Sequence, residues 1–136
     1  MSAARMAVRV QTPEGELFFA DIARLRFDAE DGARGVLPRH EAARVVLEAG
    51  PVEVMRGDGS VVFVATEGGM VWITPTEVRL ISGWATHAET LEELREQVLA
   101  QAAQRRRIEA EARAQAQRQE QAARRALVDL ARRPER

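Results

Sequence analysis

The sequence predicts a mainly β protein with an α-helical end. An antiparallel β-sandwich of about eight to ten short strands occupies residues 1–87, and a helical hairpin or a single long helix occupies 88–136. Three observations lead there. All nine glycines, and every proline except Pro134, lie at or before Gly83, while residues 84–133 contain neither. Before that boundary, short apolar runs alternate with period two and are separated by turn residues. After it, the chain is built mainly from Ala, Gln, Glu and Arg, which favour helix.

The strands follow in order. "AVRVQT" (7–12) alternates and stops at Pro13; "GELFFA" (15–20) and "ARLRFDA" (23–29) come next. In the latter, Ala23, Leu25, Phe27 and Ala29 face one way and Arg24, Arg26 and Asp28 the other. "VEVM" (52–55) enters the hairpin signal "RGDGS" (56–60) and leaves it as "VVFVAT" (61–66). "EGG" (67–69) turns the chain into "MVWIT" (70–74), and "TPTE" (74–77) turns it into "VRLIS" (78–82). Trp72 and Phe63 are expected in the core.

"TLEEL" (90–94) opens the helix. Thr90 can cap the first free N–H groups, Glu93 stands at the capping-box position, and Glu92 and Glu93 suit the positive end of the dipole. Leu91, Leu94 and Val98 mark one apolar cluster; Leu127, Val128 and Leu130 mark a second. Between them, residues 105–125 hold one large apolar side chain, Ile108. As one helix, 91–133 would rise roughly 65 Å and keep the clusters apart; as a hairpin it would join them. No Gly, Pro or Asn marks a bend, so both shapes stay open.

Composition excludes much chemistry. An apolar content of 46% is enough for a core. Without Cys there are no disulfides or thiolate metal sites. Without Lys there is no phosphate-loop lysine and no Schiff base. His40 and His87 are the only histidines, and neither has the neighbours a zinc site or a nucleophilic serine would need. The apolar runs are too short to span a bilayer, and "MSAARMAVRV" lacks the core of a signal peptide. Residues 1–90 carry 9 Arg against 13 acids, net −4; residues 91–136 carry 11 Arg against 8 acids, net +3. The tail arginines alternate with acids and have no aromatic residue after Trp84 to stack a base, which argues against nucleic acid. The residues thus describe a non-enzymatic binding module with a helical appendage and no cofactor.

Its segments "TPEGELFFADIARLRFDAEDGARGVLPRH" (12–40), "EAG" (48–50), "ATEGGMVWITPTEVRLIS" (65–82) and "WATHAETLEELR" (84–95) together resemble the epsilon subunit of F-type rotary ATP synthases. The likeness runs through roughly residues 8–95 and rests on the order of its elements: the Thr-Pro-Glu-Gly opening, the Gly35-Val36-Leu37-Pro38-Arg39-His40 loop, the Glu67-Gly68-Gly69 turn, and the strand pair around Pro75.

The resemblance implies a sandwich joined to a helical hairpin, placed on the gamma subunit at the foot of the rotor and touching the ring of c subunits. It implies a peripheral place on the cytoplasmic face of the bacterial plasma membrane. The helical part would reach the alpha and beta subunits of the catalytic head and restrain ATP hydrolysis, with Arg105, Arg106, Arg107, Arg113, Arg118, Arg124 and Arg125 as its contact residues. The subunit interface would include Arg34, Gly35, Val36, Leu37, Pro38, Arg39 and His40.

Two departures stand out. Arg39 occupies the place of a family glycine, and Ala33-Arg34-Gly35 replaces the usual Glu-Leu-Gly. They hint at a divergent branch, with proton or sodium coupling left to the c ring. Some members bind ATP through an (I/L)-D-x-x-R-A motif; Leu91, Glu92 and Arg95 stand at its positions, but Glu92 and Glu96 replace its Asp and Ala. The competing readings are a free-standing nucleotide-sensing module and an enzyme using His40 with Glu41.

Overall fold

Strand alternation dictates what each short segment does, because successive side chains leave a strand on opposite faces. A computed structural model describes residues 4–134. Nine strands run β1 (Met6–Thr12), β2 (Gly15–Ala29), β3 (Gly32–Val36), β4 (Ala43–Leu47), β5 (Gly50–Arg56), β6 (Val61–Thr66), β7 (Gly69–Ile73), β8 (Glu77–Ser82) and β9 (Ala85–Ala88), followed by α1 (Leu91–Arg132). The strand order is β1-β8-β7-β4-β2-β5-β6-β9, with β3 also on β2 and β1 also paired to β2. The result is the expected β-sandwich. Its pairings are antiparallel apart from β1 with β8, which run parallel through Ala7↔Glu77 to Gln11↔Ile81. These two strands are distant in sequence, so no hairpin constrains their direction.

The two segments expected at 15–20 and 23–29 form a single 15-residue strand. Asp21 takes φ 54°, and the β2–β5 register shifts between Ile22 and Arg24. The strand therefore bends without leaving the ladder, a bulge's usual effect. Its first half pairs with β1 and its second with β3 and β5, so both walls of the sandwich share it.

Every inward position is filled. Val8, Val10, Val71, Ile73, Val78, Leu80 and Leu47 belong to the same buried cluster as Ile22, Leu25, Phe27, Val36, Val52, Val54, Val62 and Val64. At the β7 end, Gly69 is required: a Cβ there would collide with the Ile81 carbonyl oxygen. Among the described residues, no buried side-chain polar atom lacks a partner.

A smaller cluster lies on the outer side of β6 and β9. Ala65, Ala88 and Leu94 are buried there, with Phe63 and Trp84 packed against them. Phe63 thus belongs to this satellite cluster and not to the main core. The cluster explains the unbroken run "VVFVA": Val62 and Val64 face the sandwich interior, and Ala65 is covered by the start of the helix. The helix begins as its sequence suggests, with Glu93 N–H donating to Thr90 Oγ1 at 3.2 Å. The Arg56 guanidinium hydrogen-bonds both Glu89 carboxylate oxygens, at 3.1 and 3.3 Å. Thr86 also bonds Gln97.

The helix is single and unbroken from Leu91 to Arg132, so the hairpin shape is not adopted. Leu127 and Leu130 are exposed, 66% and 58%. A hairpin would break several backbone hydrogen bonds to join a handful of side chains, and no Gly or Pro eases that bend. Leu94 is its one buried residue among those described. The chain divides into two compact units, Met1–Val98 and Leu99–Arg136. In the second, Glu120 and Arg124 pair at 2.7 Å, whereas Glu109 and Arg113, equally spaced, do not.

These packing contacts predict where the chain can be cut. A chain ended after Val98 should melt cooperatively, and above one ended after His87, which lacks Ala88 and Leu94. Leu94→Ala should cost about 2 kcal/mol in denaturant unfolding, near the lower end for a buried leucine, because its cluster is small. The Arg56 hydrogen bonds hold the Glu89 carboxyl below its ordinary range. A depressed carboxyl stabilises fully above its unfolded pKa and loses that contribution as pH falls through the folded value. Acid should therefore narrow the melting difference between the native chain and Glu89→Gln, a small effect for an exposed pair.

Candidate subunit interface

The strands that send valines inward must send their alternate residues outward, and on β4, β7, β8, β1 and β2 these form two ladders. One runs Arg44, Trp72, Arg79, Arg9, Phe18; the other runs Val46, Met70, Ile81, Gln11, Glu16. Trp72 is 40% exposed and Phe18 53%, and Val46, Met70 and Ile81 are similarly open. Trp72 is therefore not a core residue. Between inward Val71 and Ile73 it can only point outward, a signal present in the alternation of "MVWIT" but overridden by the usual burial of tryptophan.

Cations cover this face in part. The Arg44 guanidinium lies 4.5 Å from the Trp72 ring centroid, and Arg9 lies 4.6 Å from that of Phe18, both within cation–π range. Arg9 is also held by Glu16, at 2.7 Å, and by Glu77. These hydrogen bonds, Glu16 first, raise its pKa further and keep it charged. Arg44 has no carboxylate partner among the described residues. Val46, Met70 and Ile81 stand side by side across β4, β7 and β8, with Trp72 two residues along β7, and exposed apolar neighbours of this kind make the face a candidate interaction surface.

The loop singled out by sequence lies beside one end of this face. Arg34 and Gly35 are in β3, where Arg34 pairs with Asp31 at 3.2 Å and Gly35 stands opposite Arg26. Val36 is fully buried in the core. Leu37 is 60% exposed, and Pro38 is half-buried. His40 N–H donates to the Leu37 carbonyl at 3.2 Å and Arg39 N–H to the Pro75 carbonyl at 2.8 Å. The loop is thus pinned against the β7–β8 turn. His40 Nδ1 lies 2.6 Å from its neighbour's carbonyl oxygen, Glu41 O, and has no serine or carboxylate arranged for catalysis. A hollow of about 420 Å³, lined by Ala42, Ala43, Arg44, Trp72, Ile73 and Thr74, joins the loop to the outer ladder.

The nucleotide candidates Leu91, Glu92 and Arg95 lie at the start of α1. Leu91 lines a hollow of about 360 Å³ with Arg26, Arg34, Glu53 and Phe63, but Glu92 and Arg95 are exposed and do not line it. Arg105, Arg106, Arg107, Arg113, Arg118, Arg124 and Arg125 are all exposed on the helix. Among the described residues no group of three or more His, Cys, Asp or Glu could hold a metal, and no helix is long and apolar enough to cross a membrane.

Residues 5–90 match the family model for the β-sandwich domain of the ATP synthase delta/epsilon chain. That match sets the class: a β-sandwich subunit of an ATP synthase. The chain is 34% identical over 99 residues to the ATP synthase epsilon chain of Bacillus subtilis, covering 73% of this chain and 74% of that one. It is 32% identical over 99 residues to that of Anoxybacillus flavithermus, covering 73% of each. The protein belongs to the ATP synthase epsilon chain family, whose members are non-catalytic accessory subunits. Its fold also matches a chain of the Euglena gracilis mitochondrial ATP synthase OSCP/F1/c-ring structure, with TM-score 0.61, 22% identity, and coverage of 79% of this chain and 66% of that one.

Burial predicts opposite outcomes for neighbours on β7. Trp72→Asp should leave the melting temperature within a few degrees of the native chain. Val71→Asp, which buries a charge, should abolish the cooperative transition. Circular dichroism melts of both variants decide it.

Proposed function

We propose that this protein is the epsilon subunit of a bacterial F-type ATP synthase central stalk, docking on the gamma subunit and touching the c ring through its sandwich. The observation that carries this reading is the exposed ladder face on which Phe18, Val46, Met70, Trp72 and Ile81 leave large apolar side chains open to solvent. The Leu37–His40 loop adjoins it and extends the same surface. In this role the subunit transmits c-ring rotation to the head, with the coupling ion, proton or sodium, selected by the ring. Its place is peripheral, on the cytoplasmic face of the plasma membrane, consistent with the bacterial sources of its relatives.

The helix supplies a restraint on ATP hydrolysis. Beyond Val98 it leaves Ile108, Leu127 and Leu130 exposed and carries its arginines on several faces. Such a helix has little to lose by engaging a new surface, and many individually weak charge contacts can hold it there. Nucleotide has no part in this reading, because Glu92 and Glu96 replace the Asp and Ala of the nucleotide motif and neither Glu92 nor Arg95 lines the Leu91 hollow.

Replacing Trp72 and Ile81 together with Asp should weaken capture of gamma at least tenfold while the variant melts normally. Undiminished capture would remove the ladder face as the docking surface. Deleting 105–136 should raise ATP hydrolysis by the assembled complex several-fold, read as steady-state phosphate release, with assembly intact. Titration calorimetry of the full chain with ATP should show no saturable heat.

A further inference from the structure

Arg39 has a backbone that glycine would adopt freely, and it is not glycine. Its φ is 67°, in the left-handed region where a Cβ crowds the backbone. Apart from Asp21, it is the only non-glycine residue with positive φ among those described. Asp21 has a local reason for its conformation, since its carbonyl accepts the Gly57 N–H at 2.8 Å at the bend of β2, and Asp tolerates this region better than Arg does. Arg39 has no comparable excuse. Its N–H bond to Pro75 would form equally well from a glycine.

The side chain returns nothing among the described residues. The Arg39 guanidinium is exposed and makes no hydrogen bond, ion pair or ring contact with any described residue. Glu41, the acid of the loop, does not pair with it. A strained residue whose side chain is idle in the free protein points to an interaction outside it.

We propose that Arg39 is a specificity residue of the docking surface, recognising a carboxylate on the partner rotor subunit. The inference rests on the gamma-docking reading above and adds the chemistry of one contact. A guanidinium presents a planar fork of donors that matches a carboxylate. Leu37, 60% exposed two residues earlier, supplies an apolar neighbour that shields such a pair from water. The hollow between Ala42 and Trp72 makes the loop continuous with the ladder face, so one partner can cover both.

The full-length chain and three variants, Arg39→Gly, Arg39→Ala and Arg39→Glu, are melted and then titrated with the gamma subunit of the same organism at low and high salt. Arg39→Gly should melt above Arg39→Ala by about 4 °C, since only glycine relieves the backbone. Both should bind about tenfold more weakly than the native chain at low salt, and Arg39→Glu about a hundredfold. The gap should shrink at high salt, as a charge contact requires. Arg39→Gly binding as tightly as the native chain would overturn the proposal, and so would a lower melting temperature for Gly than for Ala. A native chain that does not bind gamma at all would instead remove the docking reading itself. Tighter binding to a phosphate-rich polymer than to gamma would reassign Arg39 to a polyanion and overturn the carboxylate contact.

Discussion

Both walls of the sandwich depend on one strand. β2 pairs with β1 along its first half and with β3 and β5 along its second, and its bend at Asp21 carries it from one set of neighbours to the other. The bend is held by the Gly57 N–H donated to the Asp21 carbonyl, which ties the β5–β6 hairpin to the turning point. Ile22, immediately after it, is fully buried in the common cluster. A break here would separate the walls and expose the valine interior, where most of the hydrophobic stabilisation resides.

The exposed outer face follows from the same alternation. Each inward valine on β7 and β8 leaves an outward neighbour, and with Trp72, Met70 and Ile81 at those positions the outer face is apolar by construction. Arg44 and Arg9 lie over its two aromatic rings, shielding them while keeping the face cationic. Such a surface stays in solution when free and still has large rings to bury when a partner arrives. The β3–β4 loop adjoins this face because Arg39 N–H donates to the Pro75 carbonyl at the neighbouring turn.

The helix obeys a different economy. Leu94 packs into the outer side of β6 and β9, and Arg56–Glu89 and Thr86–Gln97 secure the junction. From Leu99 onward the large apolar side chains are exposed. Stability there comes from propensity and local pairs such as Glu120–Arg124, without a packed face.

Much was legible from local signals alone. The change from turn-rich alternation to an unbroken run without Gly or Pro located the passage from strands to helix, because those residues act on their own backbone whatever surrounds them. The "RGDGS" and "EGG" turns, the Thr90 cap and the valine-rich strands were readable for the same reason. Short β9, glycine-bearing β3 and the continuity of β2 across Asp21 were not, since each exists through hydrogen bonds to strands far away in sequence. Nor could residue type alone tell which face of β7 is inside: that depends on where the opposite wall lies, and it sends Trp72 outward. The choice between hairpin and single helix depended on whether two small apolar clusters could offset a broken helix, which local propensity does not weigh. Local sequence determines which conformations are available, and the distant contacts made by β2, Leu94 and the two walls select among them.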